Sequence, residues 1–183
     1  MMKVLFYNLS GVENLKKDFC TVDFSVLVVG YNKNSPRFLT KEYYKYLRFF
    51  RLLSKKSDIE IIFCFYIFYN DRTYLNALNI RAGKIENIFG ENFSNKTLFL
   101  NFEKKDIAFL FYFDLYKKKY RNFLENFDLI VGIDDEKFFC DNDVVFLDNN
   151  FFNKLILVNY DMQIKTKKNK TLSQNISKSY VLF

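Results

Sequence analysis

The chain has 183 residues, 24 of them Phe and 13 Tyr, with no His and no Trp, and its formal net charge is +7. Without His it cannot build a Ser-His-Asp or Cys-His nucleophile, a His-ligated zinc site or a His general base. Any acid or base must be Asp, Glu, Lys, Tyr or Cys. The length suits one domain with a single substantial core, and a hydrophobic fraction of 50% separates it from disordered chains.

In chain order, "KVLFYNL" (Lys3 to Leu9) and "FSVLVVG" (Phe24 to Gly30) read as buried strands, with "GVENLKKDF" between them as a short helix. Thr40 is placed to cap a helix over "KEYYKYLRFFRLLSKK", with Tyr43, Leu47 and Phe50 on one face. "DIEIIFCFYIF" is the strongest strand. "TYLNALNI" and "KIENIF" form a hairpin about "RAGK", where Gly83 supplies a positive φ. "TLFLNF" and "DIAFLFYFD" form a second hairpin about "EKKD". A helix beginning at Tyr116 buries Tyr120, Phe123 and Phe127, and "FDLIVGI", "DVVFL" and "KLILVNY" are further strands. "TKKNKTLSQN" reads as a polar tail, and "SKSYVLF" as a closing apolar segment that needs something to pack on. Strands and helices in this mixed order imply an α/β layered sandwich.

Cys20, Cys64 and Cys140 lie far apart and form no CxxC pair, which leaves neither a zinc ribbon nor a thioredoxin-type motif. Cys64, inside "IIFCFYIF", reads as a small buried hydrophobe rather than a displaced nucleophile. Cys140 has acidic neighbours that raise its pKa and blunt it. The apolar part of "MMKVLFYNLSG" is too short for a signal peptide, and "IEIIFCFYIFY" is about half of the ~20 residues that span a bilayer. A soluble protein of the reducing cytoplasm is therefore expected. The runs "YKKKYR" and "KTKKNK" read as solvated faces, and no nucleic-acid-binding module is visible, so nucleic acid is not the favoured partner. No Walker loop, GxGxxG or calcium loop occurs, and neither a cofactor nor a metal is expected; "DDEKFFCDND" reads as an exposed turn.

Several stretches in sequence resemble the nitrilase superfamily of carbon–nitrogen hydrolases. "FSVLVVG" looks like that family's "ADLVVFPE" strand. "LLSKKSDIEIIFCF" is similar to "AKEHGIYIVAG", and "YLNALNIRAGKI" to "YNSALLIDPGKI". "DIAFLFYFDLYKKKYRNFLENFDLIVGID" resembles "KIGVAICYDLRFPELYRELAEGADVILVP", with Asp114, Leu115 and Asp128 in place. The resemblance runs from the first strand to about Asp134. It implies an α-β-β-α sandwich, abbreviated toward its C-terminal end, with a nitrilase-like domain over 1–160 and a tail over 161–183.

The family's chemistry uses a Glu as general base, a Lys at the oxyanion and a Cys nucleophile. Carried over by position, the Glu falls on Asn32, the Lys on Glu91 and the Cys on Tyr112. The Glu of "RFPE" falls on Lys119, and Asp114 is the motif residue that remains, placed either as a working carboxylate or as the cap of the following helix. A phenol with a pKa of about 10 is a poor substitute for a thiol of about 8.5, and Glu in place of Lys reverses the charge that meets the oxyanion. The resemblance thus implies a non-catalytic member acting as a binding or assembly module. Homo-oligomerisation is expected, with "SKSYVLF" packing on another subunit. The alternatives are an active amidase-type carbon–nitrogen hydrolase with relocated residues, and a basic nucleic-acid-binding protein.

Overall fold

The computed structural model describes residues 3–7, 9, 19, 25–29, 35–90, 93, 97–102, 104–111, 124–133, 155–158, 164–165, 171–175 and 178–182. Twelve strands and one α-helix lie among them. They are β1 (Lys3–Tyr7), β2 (Val26–Val29), α1 (Lys41–Ser57), β3 (Glu60–Tyr69), β4 (Arg72–Arg81), β5 (Lys84–Gly90), β6 (Thr97–Phe102), β7 (Lys105–Phe111), β8 (Leu129–Ile133), β9 (Leu155–Val158), β10 (Ile164–Lys165), β11 (Thr171–Asn175) and β12 (Lys178–Leu182). They form a seven-stranded sheet in the order β11-β12-β1-β2-β3-β4-β5 and a five-stranded sheet in the order β10-β9-β8-β7-β6.

Both sheets are mixed. β1, β2 and β3 run parallel to one another, and β4 and β5 return antiparallel. In the second sheet β7, β8 and β9 are parallel. Period-two alternation sorts the seven-stranded sheet into two cores. Val4, Phe6, Val26, Val28, Ile62, Cys64, Leu75 and Ala77 meet Leu98, Ile107, Phe109, Leu129 and Val131 of the five-stranded sheet. The intervening Leu5, Tyr7, Leu27, Val29, Ile61, Phe63, Phe65, Leu78 and Ile80 pack on α1.

α1 connects β2 to β3. Thr40 Oγ1 accepts from the Tyr43 amide at 3.2 Å, and Asp58 closes the helix with a left-handed backbone at φ 46°. Glu42 in the first turn and Lys55 and Lys56 in the last complement the helix dipole. The buried residues of the helix are Tyr43, Tyr46, Phe50 and Ser54. The expected face is the one that packs on the sheet: Tyr43 and Phe50 are buried in that core and Leu47 is partly buried against it, while Tyr46, on the other flank of the same stripe, is buried as well.

The expected hairpin at Gly83 forms, with Ala82 (φ 47°) and Gly83 (φ 79°) as its two central residues, the arrangement of a type I′ turn. Asn70 (φ 49°) and Asp71 (φ 57°) make an equivalent turn between β3 and β4, so β3, β4 and β5 form one meander. The β6–β7 hairpin is also present. Asp128 buckles β7 to the start of β8: its carboxylate accepts from the Asp106 amide at 3.0 Å and from Lys105 Nζ at 3.1 Å.

Two expectations at the far end of the chain are revised. Thr171–Asn175, read as polar tail, forms β11, and the backbone of Lys178–Leu182 pairs antiparallel with β1 of its own chain. The apolar segment thus has an intramolecular partner. The helix expected at "GVENLKKDF" falls outside the described residues except Phe19, which is buried. "DVVFL" and residues 116–123 of the helix expected from Tyr116 to Phe127 also lie outside them, and of its described end Leu124 is helical while 125–126 form a turn. Phe127 is half-buried and stacks on Phe99 with ring centroids 5.1 Å apart.

Candidate functional site

Parallel strands deliver their carboxyl ends to one edge of a sheet, where the loops that follow are free to carry chemistry. The register shows which strands share that edge. Val29, the last residue of β2, pairs with Phe63, and Phe63 pairs with Leu78. Two rows further on, beyond the end of β2, Phe65 pairs with Asn76 and Asn76 with Gly90, the last residue of β5. β2 and β5 therefore leave the sheet at the same end. Asn32 follows β2 and Glu91 follows Gly90, while Tyr112 and Asp114 follow Phe111 of β7. Asn32, Glu91, Tyr112, Asp114 and Lys119 themselves all fall outside the described residues, as do Cys20 and Cys140.

The described floor of this end is tightly made. Asn76 is fully buried and its amide Nδ2 donates to the Tyr74 carbonyl at 3.2 Å. A Cβ on Gly90 would lie 2.5 Å from Asn76 Oδ1 and 2.6 Å from Asn76 Cα, and its φ is 145°. Only glycine fits there. Beside it, the 36–38 segment runs along the upper part of β3: the Tyr66 amide donates to the Pro36 carbonyl at 3.0 Å, and the Phe38 amide to the Tyr66 carbonyl at 2.7 Å. Phe38 packs on Phe65 at 5.4 Å, and the Arg37 guanidinium lies 5.5 Å above the Phe68 ring.

Cys64 is described, and it points the other way from a nucleophile. It is fully buried in the inter-sheet core, and burial pushes its thiol pKa up. A thiol held protonated among apolar side chains is inert. Among the described residues no group of three Cys, Asp or Glu is gathered that could hold a metal ion. No helix among them is long and apolar enough to cross a membrane.

At the opposite end, where β2 and β3 begin, lies a buried carboxylate that the sequence reading passed over. Glu60 opens β3 at 2% exposure, beside Val26 on the inter-sheet face. Its Oε2 is 3.5 Å from Arg81 Nε, while Glu60 Oε1 and Asn79 Oδ1 have no hydrogen-bond partner. Burial raises the Glu60 pKa, against the hydrogen bond from Asn79 and the charge of Arg81, which lower it. The signal was a lone acidic residue at an inward position of "DIEIIFCF". Burial likewise raises the Tyr43 phenol to about 12.

No protein-family model matches the sequence, and no curated protein matches it either. Solved structures do match by fold. Nit3 of Saccharomyces cerevisiae, a member of branch 10 of the nitrilase superfamily, superposes with a TM-score of 0.57 at 10% identity, over 98% of this chain and 89% of its own. XC1258 of Xanthomonas campestris, a CN-hydrolase superfamily protein, matches with a TM-score of 0.56 at 9% identity, over 86% of this chain and 75% of its own. The glutamine-dependent NAD+ synthetase of Acinetobacter baumannii matches with a TM-score of 0.53 at 14% identity, and this chain spans 38% of that one. Two facing mixed sheets, with the helix-flanked β2–α1–β3 crossover and the two hairpins, give this chain the fold of the nitrilase-superfamily carbon–nitrogen hydrolases.

Proposed function

We propose that this chain is a divergent carbon–nitrogen hydrolase-like protein that has lost the Glu-Lys-Cys triad and works as a non-catalytic binding or assembly module. What carries the reading is the sequence resemblance, which sets Asn32, Glu91 and Tyr112 at the three family positions, on a chain that has the fold of that superfamily. Inert burial of Cys64 supports it, because β3 offers no substitute thiol. On this reading the helix that follows Asp114 covers the outer face of the five-stranded sheet and completes an α-β-β-α sandwich, with the C-terminal part abbreviated. Ala108, Leu110 and Ile130 support that fourth layer: they alternate with the inter-sheet residues of β7 and β8 and yet are fully buried. Assembly with a second copy in the cytoplasm belongs to the same proposal.

Thiol reactivity and ammonia release test it together. The folded chain is expected to release no ammonia from acetamide, propionitrile, glutamine or asparagine, and each cysteine is expected to alkylate with limiting iodoacetamide more slowly folded than in urea. Ammonia release that disappears in a cysteine-free variant, or one cysteine that alkylates faster in the folded chain, would overturn the proposal.

A further inference from the structure

The outward side of α1 does not read as an ordinary solvated face. Tyr44, Arg48, Arg51, Leu52 and Lys55 form a single stripe at helical spacing, opposite the stripe that packs on the sheet. Tyr44 is 51% and Leu52 52% exposed, a large apolar outlay for a helix that already has its buried face. The tip of the β4–β5 hairpin closes one side of this stripe. Together they form an open groove of about 680 Å³, whose floor is Leu47, Leu52 and Ala82 and whose rim carries Arg48, Arg51, Lys55 and Lys84.

The groove is preformed. Arg51 Nε donates to the Gly83 carbonyl at 2.8 Å, and the Gly83 amide donates to Ser54 Oγ at 3.0 Å, which in turn donates to the Arg51 carbonyl at 3.2 Å. A Cβ on Gly83 would lie 3.2 Å from the Arg51 carbonyl oxygen and 3.2 Å from Lys55 Cβ, so helix and hairpin meet at van der Waals distance. The Nε bond ties the Arg51 side chain to the hairpin beside the groove it lines, and less side-chain freedom is left to lose on binding. Among the described residues none of the four rim cations forms an ion pair, and no carboxylate lines the groove.

Charge and floor together select the occupant. A second copy docked about a two-fold axis would set these cations against themselves. A single-stranded nucleic acid needs rings on which successive bases stack, and this floor is aliphatic with Tyr44 alone at one end. An acidic chain bearing an apolar side chain satisfies both requirements. We propose that this groove docks an acidic amphipathic polypeptide segment of a partner protein, with a leucine or phenylalanine seated on Leu47 and Leu52 and its carboxylates on Arg48, Arg51, Lys55 and Lys84. The groove lies at the end of the sheet where β3 begins, away from the strand ends that lead to Asn32 and Glu91, and the inference holds whether or not those positions retain activity.

Fluorescence anisotropy of a short fluorescein-labelled peptide, leucines alternating with pairs of glutamates, tests this with the full chain. Saturable binding is expected, weakening as salt rises. The Arg48→Glu/Lys55→Glu variant should weaken it at least about tenfold, with an unchanged thermal melt showing that the exposed substitutions leave the fold intact. The Lys41→Glu/Lys45→Glu variant makes the same charge change on the same helix outside the groove, and is expected to bind as the parent does. Absence of peptide binding, equal loss in both variants, or tighter binding of an oligothymidylate than of the peptide would each overturn the proposal.

Discussion

Toward α1 the seven-stranded sheet presents Tyr7, Phe63 and Phe65, which meet Tyr43, Tyr46 and Phe50 of the helix. Toward the five-stranded sheet the same strands present Val26, Val28, Ile62, Cys64 and Ala77. Adjacent residues of β3 thus belong to two kinds of core. A helix is a cylinder laid on a twisted surface, and the wedge-shaped gaps beside it take large flat rings: Phe50 lies 5.2 Å from Phe63, and Tyr43 5.8 Å from Phe63 and 5.4 Å from Phe65. Two sheets pack face to face at about 10 Å, and interdigitation at that spacing favours branched and small side chains. Phe6, Phe89 and Phe109 are the fully buried rings described in that second core, with the partly buried Tyr66 packed against it, and the small Cys64 and Ala77 sit opposite each other on β3 and β4. The comparison teaches that the helix is fixed by a connected set of rings, whereas the inter-sheet core is fixed by volume.

The largest break in that comparison comes from the ring side. Phe63→Ala removes the ring that Tyr43, Tyr46, Phe50 and Phe65 all approach, and a loss of about 4 kcal/mol in urea unfolding is expected. Its neighbour Ile62→Val, in the sheet–sheet core, is expected to cost about 1 kcal/mol. Equal losses at the two positions would show that the cores do not differ as described. A smaller effect is expected from Gly90→Ala, which forces a Cβ onto Asn76 in a backbone region unfavourable to alanine; about 3 kcal/mol is expected by the same measurement. A loss below about 0.5 kcal/mol would mean that β5 shifts freely at this end.

The smallest effect sharpens the inter-sheet side and depends on pH. In the fold the Glu60 pKa is raised above its ordinary 4.5, chiefly by burial, so the native protein keeps a proton that the unfolded chain gives up first. That contribution to stability is complete below the unfolded value and is lost as pH rises through the raised native one. Glu60→Gln imitates the neutral form. It is expected to match the parent at acid pH and to be the more stable of the two near neutrality, as read from thermal melts across that range. A variant that is less stable than the parent near neutrality would show that the Arg81 pair outweighs the cost of burial.

Much of this architecture is written in the sequence because it rests on periodicity. The runs "KVLFYNL", "FSVLVVG" and "DIEIIFCFYIF" are nearly continuous in apolar residues because their strands are covered on both faces. Thr40 and Gly83 announced a cap and a turn through chemistry that only such positions require. β11 was hidden for the converse reason. "TLSQN" lies at the edge of the sheet, and an edge strand held by backbone pairing to one neighbour needs no apolar run. Tyr46 was missed because it and Leu47 lie on opposite flanks of the apolar stripe, and which flank is buried more deeply is decided by the sheet beneath rather than by the helix. Glu60 was missed because one carboxylate in an apolar strand reads as a flaw in the pattern, and its partners Asn79 and Arg81 are brought to it by the antiparallel pairing of β3 with β4. Of the candidate site, the strands leading to Asn32, Glu91, Tyr112 and Asp114 were legible, while those residues lie outside the described part of the chain.

β1 lies between β2 and β12, pairing Val4 with Val26 on one side and with Val181 on the other. The meander of β3, β4 and β5 closes within a short stretch of chain, but the β1–β12 ladder joins residues from nearly opposite ends of the sequence. During synthesis β1 therefore emerges well before β12, and the edge that pairs with β12 stays open until β12 has left the ribosome. Long-range pairing of this kind slows folding, and an unpaired strand edge is a template for pairing with other nascent chains. The position of one short strand thus makes the order in which the chain is made part of its folding problem: the local meander can form early, and the sheet closes late.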